Sequence, residues 1–403
     1  MLTQIAWRNV WRSKGRSSVV IGSMVIGIWA MAFGGGFMRS FLISYIETAI
    51  KHETSNGQIH NPEFKKDLNI QYTIENPDSL LHELNKTKSI NRSTARSIVN
   101  GMVSSPRQAT GVKIVGVDPI SEASVTELDS LVSEGEYFVG SSNPVLLGEK
   151  LAEKLQVKVK SKVVLTFQDK GGSITAARFR IVGILHSASL NINESSVFVL
   201  RSDLNRLLNI GEAAHEIAYT TFPDAEDDRI AAQLKNKFPG YSVESWRELS
   251  PALVFMEQWM AASLKVLIII IMSALAFGIV NTMLMAVLER IHELGMLMAL
   301  GMKRGRVFVM VMLETVFLST IGGPLGLLAG FITISGLAEK GIDLSNYSEG
   351  LEAIGYESVL RPVLDPSDYI QIVVGVLITA ILASIYPAWK AIRVKPVEAL
   401  HHI

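Results

Sequence analysis

Four stretches of this 403-residue chain are almost free of charge: Ser17–Met38, Val266–Leu288, Val307–Thr333 and Tyr369–Trp389. Charged residues make up 19% of the chain, so an even distribution would put about 18 of them in these 93 residues; they hold one, Glu314. A helix needs roughly 20 apolar residues to cross the hydrocarbon core of a bilayer, and the shortest stretch has 21. Four such segments exclude a soluble globular protein. Thirty-eight basic residues balance 38 acidic ones, which leaves no basic footprint for nucleic acid. The absence of cysteine excludes disulfide frameworks, zinc–thiolate sites and thiol catalysis.

Charges flanking the stretches set the expected orientation. Arg8, Arg12, Lys14 and Arg16 precede the first stretch with no acid among them. The apolar run that follows is too long for a signal-peptide core and ends without a small-residue cleavage site, so it reads as an uncleaved anchor. Arg290, Lys303, Arg304 and Arg306 fall between the second and third stretches, and Lys390, Arg393 and Lys395 follow the fourth. Glu339–Asp368 is acidic, with Lys340 and Arg361 as its only bases. Basic loops stay in the cytoplasm, so both termini are expected inside. The expected organisation is a cytoplasmic amphipathic N-terminus (1–16), a first span (17–40), an extracytoplasmic domain (41–258), a second span (259–288), a cytoplasmic loop (289–306), a third span (307–335), an extracytoplasmic loop (336–368), a fourth span (369–389) and a cytoplasmic tail (390–403).

The long insertion alternates strand and helix signals. Thr110–Val117, Pro144–Leu147, Ser196–Leu200 and Tyr241–Val243 read as strands, and Glu149–Leu155 as a short helix. Val157–Phe167 and Ile174–Leu185 read as a hairpin turning at Asp169-Lys170-Gly171-Gly172. Short helices are expected after Ser202 and over Ala225–Phe238, with Ser202 and Asp224 as N-caps. The fold expected is an α-helical membrane protein with four transmembrane helices and a large α+β domain between the first two, in two subdomains, the β-rich one covering about 132–200.

Chemistry is scarce. His52 and His60 lack a third ligand at metal spacing, Met296 stands where a second His of H-E-x-x-H would be, and no G-x-S-x-G occurs. No catalytic residue and no metal site is expected. A P-loop is absent too: Gly295 and Gly301 before Met302-Lys303 are spaced one residue too far apart. The chain is therefore not expected to hydrolyse ATP alone, and no cofactor is expected in it.

In Glu289–Gly301, ERIHELGMLMALG, residues Ile291, Leu294 and Met298 recur at helical spacing, with Glu289, Arg290 and Glu293 largely opposite. This is either a helix lying in the headgroups or an element that docks a cytoplasmic partner. Glu314 lies about 12 Å along the helix from Arg306. It is either a proton or ion site or a structural partner of polar groups such as Asn281. Gly322, Gly326 and Gly330 repeat every four residues on the third span, a pattern that lets helices approach closely, within this chain or across a dimer.

Asn281-Thr282-Met283-Leu284 through ERIHELGMLMALGMKRGRV, then Leu313-Glu314, Gly322-Gly323 and Gly326, resembles the permease core of the MacB/FtsX-type ABC transporter family. The opening Ala6-Trp7-Arg8-Asn9-Val10-Trp11-Arg12 resembles that family too. So does the ending Tyr386-Pro387-Ala388-Trp389-Lys390-Ala391 with Lys395-Pro396-Val397-Glu398-Ala399-Leu400. Gly116-Val117-Asp118-Pro119, Glu134-Gly135-Glu136-Tyr137, Leu147-Gly148-Glu149-Lys150-Leu151-Ala152, Val182-Gly183-Ile184 and Trp246-Arg247-Glu248-Leu249 resemble the lipoprotein-releasing LolC/LolE-type branch.

The resemblance implies a bacterial inner-membrane permease subunit working by mechanotransmission. ATP and Mg²⁺ would be bound by a dimer of a separate ABC ATPase subunit, alongside a second permease copy or paralogue. It implies ATPase coupling by Glu289, Arg290, Glu293, Leu294, Gly295, Ala299 and Gly301, the charges meeting the ATPase rim and the apolar residues filling its groove. It also implies a lipoprotein substrate and a periplasmic carrier. Candidate cargo contacts are Phe33, Phe37, Phe41, Leu42, Trp259, Met260, Leu264 and Leu267, which otherwise simply face membrane lipid. A MacB-like exporter of peptides or small molecules with a separate ATPase, or an FtsX-like regulator of a cell-wall hydrolase, are the alternatives.

Overall fold

The computed structural model describes residues 2–12, 14–139, 142–187, 189–222, 225–347, 350–351, 356 and 359–393. Asp224 and the motif Lys395–Leu400 lie outside the described residues. The chain forms two units, one of membrane helices and one built from the insertion.

Among the described residues the membrane unit has four helices long and apolar enough to span a bilayer. They run Lys14–Ala49, Pro251–Glu289, Arg304–Lys340 and Pro366–Ile392. All outrun the apolar stretches they contain. At 1.5 Å per residue the 39-residue second span is about 58 Å long, nearly twice a roughly 30 Å hydrocarbon core. Polar residues flanking the stretches, good helix formers among them, continue the backbone ladder into water. An N-terminal helix (Leu2–Arg12), a short helix (Ile291–Ala299) and a two-residue antiparallel pairing of Ile342–Asp343 with Val359–Leu360 also belong to this unit.

Packing in this unit uses the small residues. A Cβ on Gly322, Gly326 or Gly330 would stand 2.9, 2.8 and 2.7 Å from the Cβ of Met24, Ile28 and Ala32 of the first span. The glycine stripe thus seats the third span against the first within one chain. Gly375 of the fourth span faces the Met272 side chain, and Thr379 Oγ1 donates to Met272 Sδ at 3.3 Å. Pro366 sits at the first turn of the fourth span, where its missing N–H is harmless. Asp365 and Asp368 form a capping box there, and Arg39 of the first span pairs with both carboxylates.

The inserted unit is built on ten strands: β1 (Gly57–His60), β2 (Ile90–Ser104), β3 (Ala109–Val117), β4 (Val132–Gly135), β5 (Pro144–Gly148), β6 (Lys162–Gln168), β7 (Ile174–Leu185), β8 (Ser196–Leu200), β9 (Glu216–Thr221) and β10 (Ser242–Ser245). Neighbours run β10-β1-β9-β2-β3-β8-β5-β7-β4, and β6 bridges β2 and β7. The pairings β2-β3-β8-β5-β7-β6-β2 close a six-stranded ring, filled by Val99, Val103, Ile114, Leu147, Leu165, Phe167, Phe179 and Ile181. The first half of β2 pairs with β9 instead, in a layer covered by helices Pro77–Asn85 and Asp227–Lys237.

The insertion departs from the sequence expectation in several places, and the strand read over Val157–Phe167 begins only at Lys162. The β-rich subdomain does not begin near residue 132, because the second half of β2 and all of β3 belong to the ring. The helix Arg201–Leu208 starts before Ser202, which is not its cap; Leu200 holds that position without a side-chain bond. The 15-residue β2 carries no hydrophobic alternation, since Thr94, Arg96 and Ser97 are buried polar residues.

Candidate functional site

The site is built where the second span ends. Arg290 leaves helical geometry (φ −107°, ψ 17°), which turns the chain from the second span into the short helix Ile291–Ala299. Gly301 then stops that helix with φ +95°, a value disfavoured for residues with a Cβ. Leu294 (2% exposed) and Gly295 turn inward, Leu294 joining the core that holds Met283, Val287, Val307 and Met310. The outward face carries His292, Met296 (52% exposed), Ala299 and Leu300 (79%), with Glu289 and Gly301 exposed at its ends.

Behind that face lies a polar cavity of about 270 Å³ lined by Asn9, Arg12, Ser17, Arg290, Glu293 and Glu314 among others. Glu314, its side chain 9% exposed, accepts from Asn9 Nδ2 at 2.7 Å through Oε1. Arg290 Nη1 donates to both Glu314 oxygens, at 3.1 and 3.3 Å. Arg290 Nε donates to Glu293 Oε2 at 3.0 Å, and the Arg12 guanidinium grips both Glu293 oxygens. Burial works against the charge on Arg290, but the Glu314 and Glu293 carboxylates outweigh it and raise its pKa. Burial likewise pushes Glu293 upward, and the bonds from Arg12 and Arg290 more than offset this, holding it below the usual carboxylate range.

The geometry revises the sequence assignments. Glu314 takes Asn9 and Arg290 as partners, whereas Asn281 lies on an exposed face of the second span. Arg290 and Glu293 pair within the chain, Arg290 with 18% and Glu293 with 31% of its side chain exposed. Leu294 and Gly295 are core residues, unable to fill a groove on another protein. Met296 and Leu300, four residues apart on the charged side of the helix, were missed because the apolar stripe through Leu294 was the stronger pattern. Asn9 and Arg12 were missed because a partner nearly 300 residues away leaves no local signal.

The candidate cargo residues divide as well. Trp29, Phe33, Phe37 and Phe41 form a ladder on the first span, with ring centroids 5.8, 6.1 and 5.0 Å apart. Leu42, Met260, Leu264 and Leu267 are half-buried and Trp259 is exposed, while Leu267 approaches Gly34. Trp29 extends the ladder inward, its Nε1 donating to Thr333 Oγ1 at 3.0 Å.

The inserted unit holds a separate buried cluster. Arg96 makes a two-pronged bond to Glu122 (2.8 and 3.0 Å) and a third to Glu216 (2.7 Å). Among the described residues no group of His, Cys, Asp or Glu is placed to hold a metal.

Comparison with known families accounts for this layout. A family model described as MacB-like periplasmic core domain matches residues 17–237, more than half of the chain, and one described as FtsX-like permease C-terminal matches 265–396. The chain belongs to the MacB/FtsX-type family of ABC transporter permeases. Over 95% of its length it is 23% identical to the lipoprotein-releasing system transmembrane protein LolC of Haemophilus influenzae, covering 91% of that protein. It is 24% identical over 67% of its length to the macrolide export ATP-binding/permease protein MacB of Syntrophobacter fumaroxidans, covering 45% of that chain. Among solved structures, the periplasmic region of MacB from Actinobacillus actinomycetemcomitans aligns with 54% of this chain and 97% of its own at 14% identity and a TM-score of 0.36.

Proposed function

We propose that this permease transmits ATP hydrolysis on a separate ATPase chain to its inserted domain, and that the motion releases lipid-anchored proteins from the inner membrane toward the outer membrane. The observation that carries the reading is the likeness to LolC along nearly the whole chain, spans and insertion together. The sequence carries no P-loop, and in this reading the energy comes from a separate ATPase chain. The outward face of Ile291–Ala299 with Leu300, bearing Met296 and Leu300 among charged neighbours, is the surface on which an ATPase docks in this reading. Positive charge around that helix supports a cytoplasmic side for it and a periplasmic side for the insertion.

Lifting an acyl chain out of a bilayer costs about 0.8 kcal/mol per CH₂, so release needs an apolar shelter as well as fuel. The ladder Trp29–Phe33–Phe37–Phe41 and the neighbouring face with Leu264 and Leu267 supply one. The test is to purify the chain with its cognate ATPase in lipid nanodiscs and identify what copurifies by intact mass spectrometry. Acylated protein that leaves on ATP addition is the expected result. A complex without acylated protein rejects release in favour of a MacB-like exporter, the reading that the match to the MacB-like core domain supports. Failure to retain any ATPase rejects both.

A further inference from the structure

The polar contacts behind the outward face form a closed ring. From Asn9 it passes to Glu314 on the third span, to Arg290, to Glu293, and through Arg12 back to the N-terminal helix. Asn9 and Arg12 stand three residues apart, one helical turn, so both project from the same face. Two guanidiniums face two carboxylates in it, and Arg290 donates to both. Trp7 packs edge-on against Phe317, centroids 5.5 Å apart, which fixes the N-terminal helix to the third span beside the ring. The buried link of the ring is Arg290–Glu314, side chains 18% and 9% exposed, where removing one partner is far costlier than the pair is stabilising; the Arg12–Glu293 link stands largely open to solvent and acts by position more than by energy.

We propose that this ring makes the N-terminal helix a working part of the docking element. A load on Met296 and Leu300 then moves the helix Ile291–Ala299, the cytoplasmic end of the third span and Leu2–Arg12 as one body. Asn9 and Arg12 are positioning residues: they touch neither ATP nor the docking surface, and act through Glu314 and Glu293. The inference rests on the docking reading above.

The experiment compares hydrogen exchange in the complex of the full chain with its copurifying ATPase, without nucleotide and trapped with ATP and vanadate. In the native chain, peptides covering residues 2–12 and 291–299 are expected to change protection together, each at least about threefold. With Asn9→Ala and Arg12→Ala combined, 291–299 should still respond while 2–12 does not. The chain has no cysteine, so Asn9→Ala with Arg12→Cys and Glu293→Cys can be joined by a bis-maleimide, and the joined form should recover the paired response while the unjoined form lacks it. That recovery separates a transmitting ring from a merely stabilising one. A response of 2–12 that survives in the broken ring, its absence in the native chain, or failure of the joined form to recover it overturns the inference alone. Absence of ATPase-dependent protection at 291–299 in the native chain overturns the docking reading, and this inference with it.

Discussion

Single residues in the inserted unit show how a buried polar side chain is satisfied and what that makes of its titration. His215 is fully buried, stacked on Phe64 with centroids 5.0 Å apart. Its Nδ1 accepts from the Ile98 N–H at 3.0 Å and its Nε2 donates to the Ile70 carbonyl at 3.1 Å, so both nitrogens are satisfied only in the neutral ring. Burial pushes its pKa down to about 4 from 6.5. The unfolded chain binds the proton first, so stability is lost as pH falls from about 6.5 to about 4, by about 3 kcal/mol. Glu216, held well below the carboxylate range by His60 and Arg96 despite its burial, adds to the loss only below about pH 4.5. Pulse proteolysis of the insertion in the intact chain should show the decline beginning near pH 6.5, and His215→Asn should flatten it down to about pH 4.5. An unchanged profile in that variant would assign the acid sensitivity elsewhere. Residues of this kind were illegible in the sequence. His60, Arg96, His215 and Glu216 read as solvent-facing polar residues until β1, β2 and β9 bring them together, and for the same reason β2 was missed as a strand.

Elements carry the next level of prediction. Gly326 and Gly323 are neighbours on the third span, yet a Cβ on Gly326 meets Ile28 at 2.8 Å and one on Gly323 meets nothing within 4 Å. Gly326→Ala should therefore destabilise the helix bundle by about 1–3 kcal/mol through overpacking. Gly323→Ala should be neutral or gain up to about 1 kcal/mol of helix propensity. Melting in detergent separates the two, and equal melting points would rule out the close approach. The short helix behaves likewise. Met296→Asp with Leu300→Asp should weaken ATPase copurification at least about tenfold while leaving the melting point unchanged, since both side chains are exposed. Leu294→Asp should instead unfold the region, because it buries an unpaired charge. Loss of copurification in neither exposed variant would move the docking surface elsewhere. The helix itself was legible from its apolar spacing; which of its faces is free was not, because a single stripe does not say whether it meets the protein's own core or a partner.

At the scale of the whole molecule the predictions concern sides of the membrane and the path of cargo. Ile120, 85% exposed on the insertion, and Leu300 are both open to solvent. In a background without native cysteine, Ile120→Cys should react with an impermeant maleimide on spheroplasts, and Leu300→Cys only after permeabilisation. The reverse pattern would invert the proposed orientation. Phe37→Asp and Leu264→Asp should each block release of acylated protein while the ATPase complex still assembles, because a carboxylate in the apolar shelter opposes an acyl chain. Release at the native rate in both would leave these residues as lipid-facing surface.

The four spans, the insertion between the first two, the family and the short helix after the second span were set by the sequence alone. Each rests on a local property: runs without charge, bias of basic residues, spacing within a dozen positions. The closed ring of strands, the partners of Glu314, the burial of Arg96 and His215 and the free face of the short helix were decided only by tertiary structure. Asn9 and Glu314 are 305 residues apart in the chain and 2.7 Å apart in space. The glycine stripe stands between these cases. Its spacing announced close helix packing, but the choice of the first span as its partner follows from the facing side chains of Met24, Ile28 and Ala32, which no periodicity within the third span encodes.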